Sequence, residues 1–137
     1  MKRSALFLCV LVMPLLFISC SPQSQQTNGA HTNDFGRIVS YAELLEWLDD
    51  AQMQTIIVDI RRDDEVASGM IPGAVHIPLA DLGERIQELS RDARIVLYCR
   101  SGNRVQSALP IFKENGCTRV YNFAAFSNWQ GNIEIPR

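Results

Sequence analysis

The sequence predicts an α/β fold, a parallel sheet covered by helices on both faces. Three observations predict it. The runs at 55–60 (Thr-Ile-Ile-Val-Asp-Ile) and 94–98 are rich in β-branched and apolar residues with no polar alternation, as strands buried on both sides require. Segments with helical apolar spacing alternate with these runs, which implies crossover connections and parallel strands. The run that ends at Cys99 passes through a short loop directly into a helix, the kind of strand-to-helix junction at which such sheets build their sites.

The elements follow in order. Residues 36–39 (Gly-Arg-Ile-Val) are a short apolar strand. Ser40 opens a helix, with Glu43 three residues on as a capping box. Tyr41, Leu44, Leu45 and Leu48 carry its apolar spacing to about residue 50. The strand at 55–60 is followed by a polar stretch, 61–68, with room for one helical turn. Ile71-Pro72-Gly73-Ala74 is a turn and 75–77 a short strand. Asp81 and Glu84 form a second capping box, before a helix that buries Leu82, Ile86 and Leu89. After the strand at 94–98 comes a loop, then a helix over 104–115 that ends at Gly116, a usual residue for a helix terminus. Pro110 inside that helix predicts a kink. Residues 119–122 are the last strand, and the crossovers are right-handed.

The first 35 residues read differently. The chain has 137 residues, 47% hydrophobic, but the apolar ones are concentrated at the N-terminus. Lys2 and Arg3 precede a 14-residue apolar run from Ala5 to Ile18. That length suits an export signal and falls short of the roughly 20 residues that span a bilayer. Ser19-Cys20 and the polar stretch after it resemble the lipobox of bacterial lipoproteins, with Phe17 where Leu is usual. The resemblance implies cleavage before Cys20 and lipidation of its thiol. Ser21, in place of Asp, implies sorting to the outer membrane, facing the periplasm. Residues 21–33 lack the apolar content to offset the entropy of ordering and read as a flexible tether. His31, within it, is solvated. The expected division is therefore 1–19 signal peptide, 20–35 lipidated Cys and tether, and 36–137 one folded domain. Losing 1–19 removes Lys2 and Arg3 and no acid, which moves the net charge from −2 to −4. An acidic chain has no electrostatic basis for binding nucleic acid.

The chemistry concentrates at Cys99. Arg100, Ser101, Gly102, Asn103 and Arg104 follow it. Helix-start amides and the helix dipole favour an anion there. Two arginines add fixed positive charge. Gly102 lets the loop curl with its amides inward. The amides, the dipole and the two arginines all favour the thiolate, the nucleophilic form of cysteine.

Three segments resemble the rhodanese family of sulfurtransferases. They are Ile57-Val58-Asp59-Ile60-Arg61 with Glu65, then Gly69-Met70-Ile71-Pro72-Gly73-Ala74-Val75-His76-Ile77-Pro78, and then Val96-Leu97-Tyr98-Cys99-Arg100-Ser101-Gly102-Asn103-Arg104. They stand in the family's order over about residues 36–130. The resemblance implies a five-stranded parallel sheet and a Cys99 persulfide. Sulfur would come from thiosulfate or another sulfane donor and pass to a thiol or cyanide acceptor. The implied partners are thus small sulfur-containing anions and thiol acceptors. The loop amides would cradle the persulfide, and Arg100 and Arg104 would bind the donor's anionic end, with no metal or organic cofactor. An alternative within this reading is a persulfide carrier or sensing module that serves a protein partner. Cysteine phosphatases on related architectures use C-x5-R, whereas Cys99 to Arg104 is C-x4-R, a smaller ring suited to one sulfur atom.

The chain departs from the family pattern in three places. Met70 stands for a usual His, Val105 for a frequent Ser, and Ala124-Ala125 for a Gly-Gly pair, where alanine takes positive φ less readily. Asp59 and Arg61, at a buried strand end, read as an ion pair supporting the loop floor. Glu65 reads as a helix-start acid, His76 as structural, Trp47 as core or helix surface, and Trp129 as a candidate lining residue. Cys117 precedes the last strand, whereas Cys99 ends its own, so they lie at opposite sheet edges about 15 Å apart. A disulfide needs Cα atoms within about 7 Å, so no Cys99–Cys117 bridge is expected.

Overall fold

The computed structural model describes residues 34–136. The expected export signal, the lipidation site Cys20 and the tether up to Asn33 lie outside the described residues.

β1 (Thr55–Asp59), β2 (Val75–His76), β3 (Arg94–Cys99) and β4 (Val120–Ala125) form one parallel sheet in the order β2-β1-β3-β4. The expected count of five strands is corrected to four among the described residues. Residues 36–39 contribute a single parallel bridge, Ile38 with Asn122 of β4, and form no strand of their own. Gly36 and Val39 N–H groups donate to Val120 and Asn122 carbonyls, and Asn122 N–H donates to Arg37 O. The ladder stops there because Gly36 reverses the chain at φ +77 and Ser40 already begins a helix.

The helices are α1 (Tyr41–Asp49), α2 (Asp63–Val66), α3 (Leu82–Arg85) and α4 (Asn103–Glu114). Ser40 Oγ accepts the Glu43 N–H at 3.2 Å, which is half of the expected capping box. The Glu43 carboxylate takes Arg37 instead, at 2.6 Å. The second expected box, at Asp81, does not form. Asp81 sits at φ −95, ψ −6, already helical, whereas a capping residue needs an extended backbone. The segment is accordingly one α turn followed by a 3-10 turn, Ile86–Glu88, although Leu82, Ile86 and Leu89 are buried as expected. α4 starts one residue before the expected position and continues through Pro110, which is exposed.

Strand alternation sends successive side chains to opposite faces. Ile95, Leu97 and Cys99 of β3 pack with Leu82, Ile86, Val105, Ala108 and Phe112 from α3, its 3-10 extension and α4. Val96 and Tyr98 face Leu44 of α1 with Ile57, Ile71 and Phe123. Helices on both faces are what the doubly apolar strands require. Cys99 and Tyr98 therefore belong to different layers although they are neighbours in the chain.

Candidate active site

Cys99 is the last residue of β3 and is buried. The loop turns at Gly102, which caps α4 at φ +91, ψ −22, a left-handed conformation that glycine adopts at least cost. That turn brings the Gly102 N–H back onto Cys99 Sγ at 3.1 Å. A donated N–H and a helix start both stabilise negative charge on sulfur. Arg100, Ser101 and Asn103 are exposed around the rim.

The two arginines have different roles in the geometry. Arg104 is engaged by Glu65 through both guanidinium nitrogens, at 2.6 and 2.7 Å. Glu65 also accepts the Arg62 N–H at 3.0 Å. The hydrogen bonds from Arg104 are the chief cause that holds the Glu65 carboxyl down at about 2. Arg104, expected to face the donor, is thus committed to a bidentate pair that ties α4 to α2. Arg100 has no ion pair among the described residues. Glu65, expected only as a helix-start acid, is also the anchor of the loop's far end.

Asp59 and Arg61 form the expected ion pair at 2.6 Å, with Arg61 only 3% exposed. Arg61 also donates to Gly69 O at 2.7 Å, which fixes the segment before β2. The pair has further partners that the sequence did not disclose. Tyr98 O–H donates to Asp59 at 2.5 Å and accepts the Ile71 N–H at 3.1 Å. Burial, and then the bond to Asp59, push the Tyr98 phenol upward, so it stays neutral as a donor. Phe126 lies over the Arg61 guanidinium at 4.1 Å. The one available signal was a tyrosine in an otherwise apolar strand, because a buried phenol must find a partner.

His76 is structural, with Nε2 2.9 Å from Arg61 O. Trp47 packs edge-on against Tyr121 at 4.5 Å. Trp129 stacks edge-on against Tyr41 at 5.1 Å and donates to Asn132 O. Met70 is buried and exchanges two backbone hydrogen bonds with Glu134. Cys117 is a buried free thiol, raised by burial. The register pairs Ile95 with Val120 and Cys99 with Ala125, which places Cys117 and Cys99 at opposite ends of the sheet. Among the described residues no cluster of His, Cys, Asp and Glu is placed to hold a metal.

The model of the rhodanese-like domain matches residues 40–132. The chain belongs to the rhodanese-like family. It is 37% identical over 96 residues to YtwF of Bacillus subtilis, covering 70% of this chain and 92% of that protein. It is 40% identical over 67 residues to a sulfurtransferase of Allochromatium vinosum, covering 49% of this chain and 63% of that one. Among solved structures, the human single-domain sulfurtransferase TSTD1 superposes with a TM-score of 0.59 at 26% identity, covering 71% of this chain and 99% of the other. The rhodanese-like assignment and the α/β sheet with helices on both faces agree with the reading of the three motifs.

Proposed function

We propose that this rhodanese-like protein is a sulfurtransferase that carries one sulfane sulfur on Cys99. The observation that carries the reading is the Gly102 N–H held on Cys99 Sγ at the base of a closed loop. The Cys99 thiolate attacks the outer sulfur of thiosulfate or a related anion. The S–S bond of the donor breaks, and sulfite leaves with its electron pair. A thiol or cyanide acceptor then attacks the terminal sulfur of the persulfide, and the Cys99 thiolate is restored. The charges balance in each step, and no net redox change or cofactor is involved. Arg100, exposed and without an ion pair among the described residues, meets the donor's anionic end, while Arg104 and Glu65 hold the loop closed around one sulfur atom. The lipobox resemblance supports anchoring through Cys20 in the bacterial envelope, at the outer membrane, with the domain in the periplasm.

The test is intact mass of the full chain in detergent after thiosulfate treatment, followed by cyanide. Gain of one sulfur on Cys99, its loss to cyanide as thiocyanate, and no gain in Cys99→Ser support the reading. Absence of the gain on folded protein refutes it. Persulfide that forms but does not turn over on small acceptors supports the carrier alternative. Cys20→Ser is expected to move the protein from the membrane to the soluble fraction.

A further inference from the structure

We infer that Ala124 is a positioning residue for the loop, one whose methyl group keeps the Gly102 N–H aimed at Cys99. The inference rests on the reading of Cys99 as the nucleophile. Ala124 is the one non-glycine residue with positive φ among those described, at +63. A Cβ in that region crowds the following carbonyl, so the conformation persists only where the surroundings impose it.

Two features of β4 impose it. The pairing of β3 with β4 shifts register between Leu97 and Tyr98, so that Leu97 faces Asn122 and Tyr98 faces Ala124. Phe123 is the extra residue, and the chain bends there, as at any such bulge. The buried Asn122 then accepts the Ala124 N–H on its side-chain oxygen at 2.7 Å. Ala125 returns to extended backbone at φ −106, opposite Cys99.

The bend places Ala124 against the loop. A β-carbon at Gly102 would lie 3.3 Å from Ala124 Cβ and 3.4 Å from Ala124 Cα. Gly102 has no side chain to restrict its own torsions, and its N–H is the group that reaches Cys99 Sγ. A glycine at 124 would meet the positive φ at less cost and would remove the nearest of the three atoms on that side of Gly102, keeping the Cα and the carbonyl carbon but freeing the backbone of 124 itself to move. The alanine methyl adds the closest contact and restricts that backbone. Asn122 and the bulge hold Ala124, Ala124 limits the motion of Gly102, and Gly102 keeps its hydrogen bond to sulfur.

The test is the pH profile of the Cys99 thiolate, read as ultraviolet absorbance of the full chain minus that of the same chain carrying Cys99→Ser. Ala124→Gly is expected to fold with a Tm at or above that of the parent. Its thiolate profile is expected to move to higher pH, with about threefold less thiolate at a pH below the midpoint, the scale of one weakened hydrogen bond. Ala124→Ser, which restores the β-carbon, is expected to return the profile to the parent's. A folded Ala124→Gly with an unchanged profile overturns the inference, and so does a folded Ala124→Ser that shifts as far as the glycine. The profile needs no sulfur donor, so its outcome is separate from that of the thiosulfate experiment on the parent chain.

Discussion

Replacing Tyr98 with Phe isolates what one hydroxyl contributes to the floor beneath the loop. The ring stays, so apolar burial and the stacking on Phe126 at 5.9 Å are retained. Two hydrogen bonds are lost, the one donated to the buried Asp59 carboxylate at 2.5 Å and the one accepted from Ile71 N–H at 3.1 Å. A hydrogen bond to a charged group contributes about 1.5–3 kcal/mol, and a buried donor left without a partner costs about 1–3 kcal/mol. Ile71 is fully buried, so water does not replace the hydroxyl there. Asp59 keeps its bonds from Arg61, which softens the first loss. The net expectation is about 3 kcal/mol, a large share of the roughly 5–15 kcal/mol that stabilises a small domain. At a urea m-value of about 1.5 kcal/mol/M, the midpoint falls by about 2 M. Equilibrium urea unfolding followed by circular dichroism measures this. A loss below about 1 kcal/mol at an unchanged m-value would refute the network as a stabilising unit. Cys99 points to the other face of the sheet, so sulfur loading of the folded variant is expected to be retained.

Three further outcomes follow from the same geometry. Glu65 is held at about 2 in the folded protein against an ordinary value of 4.5, so its stabilising contribution is complete above about pH 4.5 and is lost as pH falls toward 2. Urea midpoints measured from pH 5 down to pH 3 are therefore expected to fall more steeply for the parent than for Glu65→Gln, and parallel curves would contradict the Arg104 pairing. Gly102→Ala forces a Cβ into the left-handed region and onto Ala124, with a stability loss of about 1–2 kcal/mol and slower sulfur loading; unchanged stability would mean that the loop is not confined as described. Cys117→Ser puts a hydroxyl into an apolar cluster with Phe112 and Val120, costs about 1–2 kcal/mol and leaves sulfur loading intact; loss of loading would bring Cys117 into the chemistry.

What was legible in the sequence was mostly local. β-branched runs located the strands, apolar spacing located α1, Gly116 marked the end of α4, and the Cys99–Arg104 loop stood out by composition. The unread parts are pairings between distant positions. Tyr98 with Asp59 and Arg104 with Glu65 each join residues 39 apart in the chain, and no period or cap motif encodes that. The Asp81 box failed for a related reason. Its Asp-x-x-Glu spacing is present, but the backbone entering from Pro78 and Leu79 is already turning, since the Asp81 N–H bonds to Pro78 O. The fifth strand was read from a four-residue apolar piece, and a helix cap at its end left it length for only one bridge.

Two adjacent residues of β3 divide the labour of the site, and one segment of β4 meets both. Tyr98 faces the α1 layer and holds Asp59, whereas Cys99 faces the α4 layer and receives Gly102. At the end of β4, Ala124 lies against Gly102, Ala125 pairs with Cys99, and Phe126 covers the Arg61 guanidinium of the floor. Three consecutive residues thus touch the loop, the nucleophile's backbone and the buried ion pair. A bulge just before that segment sets the facing of the strand residue Ala124, because shifting a strand by one residue exchanges its two sides, and a 3-10 turn after β4 carries Phe126. Without the extra residue at Phe123, the side chain now at 124 would be turned away from Gly102. The register shift is therefore part of the site, although it lies in no motif that contains a reactive group.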